Sequence, residues 1–437
     1  MGIGPGIRAG CLLSAIDLSG GVIMDKSFFI GNRRRFAASM EPGSVAVLLA
    51  GREIRKTHDE YYPFFAQRNF VYLTGIQQKS SVLVICKDSG AAVSERLYIL
   101  PSDPMAERWT GRRLTAGEAS DISGVSDIRP ENRFLPDLQA LAVSGGYENL
   151  YLDLFRYSSD DIDTPAHGVA ALAQRDYPYL KLRNANAIVR GLRAIKQPCE
   201  IDALRQAEKI TGAGILAMMK ASRPGMYEYQ YKAEFDRAIG QFGPMGPGFP
   251  SIISAGANNF CIHYYSYTGQ AQDGDMVLND VGAQYDNLIT DVSRGFPCNG
   301  RFTQRQRLLY ECALRTSDYM FSIIRPGMKM ADVDATIRSY NAQLLKDAGV
   351  LQDVADVGTY MWHGGAHHIG FDCHDAIATP EIIAPNMVFC VDVGIYHEEW
   401  GIGFRVEDNC LVTETGCENL SAAIPRTPAD IEAVMRK

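Results

Sequence analysis

The tetrapeptide Arg-Pro-Gly-Met occurs twice in this 437-residue chain, at 223–226 and 325–328, and its surroundings repeat with it. Each copy closes a helical pattern, because Pro and Gly break a helix. The first helix opens near Glu200 and carries Ile201, Leu204, Ile210 and Ile215 near a 3.6-residue period; the second opens near Gln304. A further helix follows each copy, over about 228–241 and 331–348. Each half then reaches a strand-like Asp-Val-Gly, at 280–282 and 392–394. His263 precedes Asp280, and His374 precedes Asp392, at nearly the same interval. Landmarks repeated in one order predict an internal duplication with two halves about a pseudo-two-fold axis. That symmetry would set Asp280 and Asp291 opposite Asp392 and Glu407.

The duplicated half also concentrates the chemistry. Residues 276–282 and 288–296 read as adjacent antiparallel strands around a polar turn at 283–287, and each strand carries a carboxylate, Asp280 and Asp291. Buried carboxylates are costly and repel one another, and a bound cation removes both problems. Two ordinary readings stand beside this one: solvated strand residues, or pairing with Arg294. Four of the eight histidines lie within 363–374, as His363, His367, His368 and His374, and Asp392 and Glu407 follow in apolar surroundings. Asp280, Asp291, His367, Asp392 and Glu407 make four carboxylates and one imidazole. Such an oxygen-rich set suits a pair of divalent ions, Mn²⁺ first and Zn²⁺ or Co²⁺ less exclusively.

The 363–367 stretch has the spacing of a helical zinc pair, but it lacks the expected Glu and its two glycines disfavour helix. A loop running into a strand is the better expectation. His368 would then face away from His367 and be structural. Arg405, two residues before Glu407, projects to the same side of a strand. It either orients a carboxylate, binds a substrate carbonyl or forms a structural ion pair. Cys373 beside His374 reads as a small core residue.

The remainder of the chain bounds the class. Its length suits two domains, and a net charge of -8 with no Lys/Arg run argues against a nucleic-acid partner. Ten cysteines are scattered without a CxxC, which reads as reduced thiols in the cytoplasm. No apolar stretch is long enough to span a bilayer, so no membrane partner is expected. The Gly-rich residues 1–23 lack a signal-peptide core and read as an N-terminal extension, with Met24 as an alternative start. From 24 to about 190 short strands (45–50, 81–86, 97–100, 149–152) alternate with helical stretches such as 33–40 and 136–142. This is a smaller α/β domain. A hinge at 187–198 leads to the second domain, 191–437. Trp109, in ERWTGRR, packs locally or serves a subunit contact or substrate rim.

At these residues the chain resembles the pita-bread metallopeptidase family, and within it the aminopeptidase P group. The stretches that carry the resemblance are PGSVAVLLAG, FVYLTG, ERWTGRRL, AIKQPCEIDALRQA, CIHYY, HGGAHHIGFDCHD and GIGFRVEDNCLVTETGCENL. The resemblance implies a pita-bread catalytic domain with an internal pseudo-two-fold repeat, preceded by the α/β N-terminal domain. It implies metal ligands at Asp280, Asp291, His367, Asp392 and Glu407. It also implies site-lining histidines at His263, His363 and His374, and an active-site arginine at Arg405. Trp109 and Tyr396 would face substrate, Trp109 from a neighbouring subunit in a homodimer or homotetramer. The implied activity is hydrolysis of the first bond of peptides with proline second, with Asp392 or Glu407 taking the proton. One departure stands out: the family's usual bridging Glu, followed by Pro, is here Asp392-Val393. That leaves open two alternatives, an Xaa-Pro dipeptidase and a weakly active or non-catalytic peptide-binding relative.

Overall fold

The computed structural model describes residues 24–243, 245–375 and 382–436, so the expected extension at 1–23 lies outside the described residues. The chain divides into two compact units, Met24–Arg193 and the part from Ala194 onward.

In the first unit, strands β1 (Ser44–Leu49), β2 (Val82–Lys87), β3 (Val93–Ile99), β4 (Ile128–Pro130), β5 (Asn149–Leu152) and β6 (Lys181–Asn184) form one mixed sheet in the order β4-β3-β2-β1-β5-β6. The pairs β1–β2 and β2–β3 are antiparallel, whereas β5 pairs parallel to both β1 and β6. Val45, Val47, Val82 and Val84 bury one side of the central strands against Phe134, Leu138, Val169 and Ala173 of the flanking helices. The expected helix at 33–40 is the end of a longer one, Lys26–Ser39, because Asp25 caps it by accepting from the Ser27 amide. The expected hinge at 187–198 is largely helical: Asn186–Ala194 forms a helix that ends where the two units divide.

The second unit carries the duplication. Helices Pro198–Ala221 and Gln304–Ile323 each begin with a capping box, Gln197 with Glu200 and Thr303 with Gln306. Each ends before an Arg-Pro-Gly-Met turn whose glycine has positive φ, Gly225 at 81° and Gly327 at 89°. The two turns then dock in the same way. Gly225 N donates to Ala271 O and Ala271 N to Met226 O; Gly327 N donates to Ile383 O and Ile383 N to Met328 O. Helices Glu228–Ile239 and Met330–Asp347 follow the turns.

Strands β7 (Ile252–Ala255), β8 (Met276–Val281) and β11 (Val292–Pro297) make one antiparallel sheet in the order β11-β8-β7. Strands β12 (Val388–His397), β13 (Ile402–Val412) and β14 (Cys417–Asn419) make the other, in sequential order. The expected single strand over 288–296 is broken. Gln284–Tyr285 (β9) and Leu288–Ile289 (β10) form a separate two-residue hairpin, turning through Asp286 and Asn287 at φ 44° and 71°. β11 starts only at Val292, which leaves Asp291 in the gap. Among the described residues no helix is long and apolar enough to cross a membrane.

Candidate metal centre

One face of the β12–β13 ladder supplies most of the site. Side chains two apart share a face, and the register sets Cys390 opposite Asn409, Asp392 opposite Glu407, Gly394 opposite Arg405 and Tyr396 opposite Gly403. The other sheet contributes Asp280, opposite Ser293, and Asp291 just before β11. Two polar links tie the sheets together. Ser293 Oγ donates to Glu407 Oε2 at 2.8 Å. Asn409 Oδ1 accepts from the Asp291 amide at 3.1 Å while its Nδ2 donates to the Asp291 carbonyl at 2.5 Å.

The glycines of the repeated Asp-Val-Gly make room for what lies beside each acid. A Cβ on Gly282 would sit 1.7 Å from the Thr290 carbonyl oxygen, and one on Gly394 would sit 2.4 Å from His363 Nε2. Neither position admits a side chain without moving the strand break or the histidine.

Arg294 is not the partner of either acid in the first hairpin. Its guanidinium is fully buried against Asp408 at 2.7 Å and the carbonyls of Glu407 and Pro425. Asp408 also takes Arg426 at 2.8 Å, so a buried Arg–Asp–Arg group lies behind the site. The carboxylates of Asp280, Asp291, Asp392 and Glu407 instead converge, with His367 Nε2 3.6 Å from Asp291 Oδ2 and 3.5 Å from Glu407 Oε1. Asp280 Oδ1, Asp291 Oδ1, Asp392 Oδ1 and Glu407 Oε1 are all buried without a hydrogen-bond partner. Desolvated carboxylate oxygens without donors are expensive. Of the four, ligand atoms of Asp291 and Glu407 group within 4.8 Å with His367, and the residues present fit divalent metal.

The electrostatics agree. Burial, then the neighbouring Glu407, pushes Asp291 and Asp392 well above the usual carboxylate range. Asp280 is raised by burial, with Arg405 opposing. Glu407 lies below its usual value: burial raises it, but the nearby imidazole of His367 and the hydrogen bond from Ser293 outweigh that. His367 is correspondingly raised by Glu407 against its own burial. Without a cation, then, the cluster holds protons on some of its acids.

A hydrogen-bonded chain backs these groups. Arg405 Nη2 binds Asp280 Oδ2 at 2.8 Å and its Nη1 donates to Tyr396 Oη at 3.0 Å. Tyr396 Oη lies 2.9 Å from His363 Nε2, while His363 Nδ1 lies 2.8 Å from the Gly364 carbonyl and 3.2 Å from Asp392 Oδ2. Acceptors at Nδ1 and a hydroxyl at Nε2 place the imidazole proton on Nδ1. Burial, then Arg405, lowers His363 to about 4, so this ring is neutral near pH 7. Arg405 therefore combines two of the three roles left open for it, as a structural ion pair that orients a carboxylate. Tyr396 is fully buried, with its ring stacked on Trp362, and its hydroxyl is used inside this chain.

His374 is exposed at one edge, its ring 4.1 Å from that of His367, and the partial loss of water around the imidazole, with the His367 charge, lowers it to about 4. His263 is exposed as well and stacks on Tyr265. His368 is buried with neither ring nitrogen bonded, edge-on to Phe389, and burial pushes it down to about 3. Trp109 belongs to the other unit and is 85% exposed. Sequence reasoning missed Asn409, Ser293 and the thiols of Cys373 and Cys390, which stand among the ligand atoms. It also missed the half-buried Phe260, Tyr264 and Trp362, which pack on Ile252, Leu278 and Tyr396 beside the acids. Alternation along β13 from Glu407 was a signal for Asn409; nothing local marked the others.

Comparison with known proteins gives the same picture from outside. Residues 202–414 match metallopeptidase family M24, and residues 29–151 match the aminopeptidase P N-terminal domain. The Xaa-Pro aminopeptidase of Escherichia coli (strain K12) is 30% identical over 93% of this chain and 97% of its own. A Bacillus anthracis protein assigned to aminopeptidase P superposes with a TM-score of 0.92 at 33% identity, over 94% of this chain and 99% of that one. Zinc-substituted E. coli aminopeptidase P in complex with product superposes at 0.86 and 30% identity, over 95% and 99%. With a pita-bread catalytic unit preceded by an aminopeptidase P N-terminal domain, this chain belongs to metallopeptidase family M24.

Proposed function

We propose that this protein is an Xaa-Pro aminopeptidase, hydrolysing the first peptide bond of peptides whose second residue is proline. The observation that carries the reading is the set of buried, unpartnered carboxylate oxygens gathered around His367. The kinship with Xaa-Pro aminopeptidases supports the substrate class. Asp280, Asp291, His367, Asp392 and Glu407 hold two divalent ions, Mn²⁺ being the expected pair for so oxygen-rich a set. Such ions supply Lewis-acid charge for the scissile carbonyl and lower the pKa of the attacking water.

The chain's own residues do the rest. Asp392 is paired across the ladder with Glu407 and takes the water's proton. Arg405 and Tyr396 hold Asp280 and His363 in place, so the acids keep their spacing as the proton moves. His363 stays neutral, and its Nδ1–H steadies Asp392. His263 and His374, exposed at the rim, border the path of the peptide, with His263 at the amide. Proline has no N–H, so its selection rests on shape; Phe260, Tyr264 and Trp362 offer the apolar wall for it. Trp109 reaches substrate from a neighbouring subunit of a cytoplasmic homo-oligomer.

The test is release of the first residue from an Xaa-Pro-Xaa tripeptide by metal-stripped protein, with and without added Mn²⁺, beside the matching Xaa-Pro dipeptide. Mn²⁺-dependent cleavage of the tripeptide is expected. Cleavage of the dipeptide alone would make the protein a dipeptidase, and no cleavage of either would make it a binding protein.

A further inference from the structure

Two thiols stand inside the centre, and the oxygen-rich ligand set takes no account of them. Building on the proposed metal centre, we infer that Cys373 is a sulfur donor to one of its ions, in a lateral set with Asp291 and His374. One ligand atom from each of these three residues lies within 4.8 Å of the other two. Donors bound at about 2.0–2.3 Å to one small ion stand no more than about 4.6 Å apart, so only slight side-chain movement brings the three onto a single cation. Cys373 Sγ already points inward, 3.1 Å from Asp291 Oδ2; the thiol is half-buried, next to the exposed His374. The second oxygen of that carboxylate, Asp291 Oδ1, is buried and has no partner, which marks the place a cation would take.

Cys390 provides the contrast. It too lies within ligand distance of Asp291, His367 and Glu407, but it is fully buried on β12 and its sulfur accepts from Asn409 Nδ2 at 3.5 Å. It packs beneath the ligands.

Coordination exchanges one thiol proton for one metal bond, and the proton leaves to solvent. The thiolate is a soft donor, so Cys373 shifts the preference of its ion from Mn²⁺ toward zinc, cobalt or cadmium. Two carboxylate-rich positions would then differ in kind: one hard, one carrying nitrogen and sulfur.

Cobalt reports this directly. Protein loaded with Co²⁺ is expected to show the d–d bands of bound metal and, in the near ultraviolet, a sulfur-to-cobalt charge-transfer band. Cys373→Ser removes the charge-transfer band and keeps the d–d bands; Cys390→Ser keeps both. Bound cobalt with no charge-transfer band, or a band that survives Cys373→Ser, overturns the sulfur donor and leaves the metal centre standing. Failure to take up cobalt at all overturns the metal centre, and this inference with it. Should the Cys373 variant not fold, zinc-edge X-ray absorption on the Cys390→Ser protein decides. A sulfur shell at about 2.3 Å is expected, and a shell of nitrogen and oxygen alone overturns it.

Discussion

Asn409→Ala should break the metal centre without touching a proposed ligand. Asn409 is fully buried on β13, and its side chain clamps Asp291 twice, accepting from the amide at 3.1 Å and donating to the carbonyl at 2.5 Å. Alanine removes both partners at once and leaves a buried N–H and a buried C=O unmet. Each unmet group costs about 1–3 kcal/mol, so the catalytic unit should lose about 2–6 kcal/mol. Asp291 sits in the break between β10 and β11 with no ladder of its own, so its carboxylate has little else to hold it. Loss of a group that orients a ligand lowers metal affinity by about 10- to 100-fold.

The assay has two arms. Denaturant unfolding of metal-stripped protein reads the stability loss, and competition with a chelator reads the affinity. Ser421→Ala is the control, because Ser421 Oγ accepts from the Asn409 backbone amide at 2.9 Å and leaves the clamp on Asp291 intact. It should cost about 1–3 kcal/mol in stability with metal affinity unchanged. An Asn409→Ala protein whose metal affinity stays within about twofold of the parent would refute the clamp as a positioning device, however much stability it had lost.

Three further outcomes follow from the same geometry. Asp392→Asn should lower kcat by about 10²–10⁴-fold, the usual worth of a general base, with KM little moved; a KM effect alone would assign Asp392 to binding. Asp408→Asn leaves the fully buried Arg294 and the part-buried Arg426 facing a neutral amide, and urea unfolding should show a loss of about 3–5 kcal/mol; an unchanged midpoint would contradict the network. Asp291 and Asp392 hold protons well above the usual carboxylate range in the metal-free protein, and metal must displace them. Affinity should therefore fall as pH falls, and calorimetry in buffers of differing ionisation enthalpy should find protons released on binding near pH 7; none released would show that both acids were already ionised.

How far the sequence reveals the site depends on which part of it is periodic. Alternation along β12 and β13 carries Asp392, Arg405 and Glu407 to one face, and that face can be counted off from the residues alone. The duplication was equally visible, because Arg-Pro-Gly-Met and Asp-Val-Gly recur in order, and the two turns dock with the same pair of backbone hydrogen bonds. Asp291 followed a different rule. A continuous strand over 288–296 would have put it on the same face as Ile289 by simple alternation, yet the β-branched residues on both sides hide a break: β10 ends at Ile289, β11 starts at Val292, and Asn409 holds the Asp291 backbone instead. Cys373 and Cys390 were illegible for another reason: a thiol packs as a small apolar group, and only its neighbours in space make it a donor. The same holds for Arg294, whose sequence neighbour Asp291 suggests an ion pair while its strand sends the side chain to the opposite face, 2.7 Å from Asp408. Arg294 lies three residues on, and residues an odd number apart face opposite ways along a strand, so proximity in sequence argued for the wrong pairing. The charge of Arg294 thereby stays behind the sheet, bound to an acid that is not a ligand, and of the carboxylates in front only Asp280 has an arginine, Arg405, so the set keeps the excess of acid that a cation site requires.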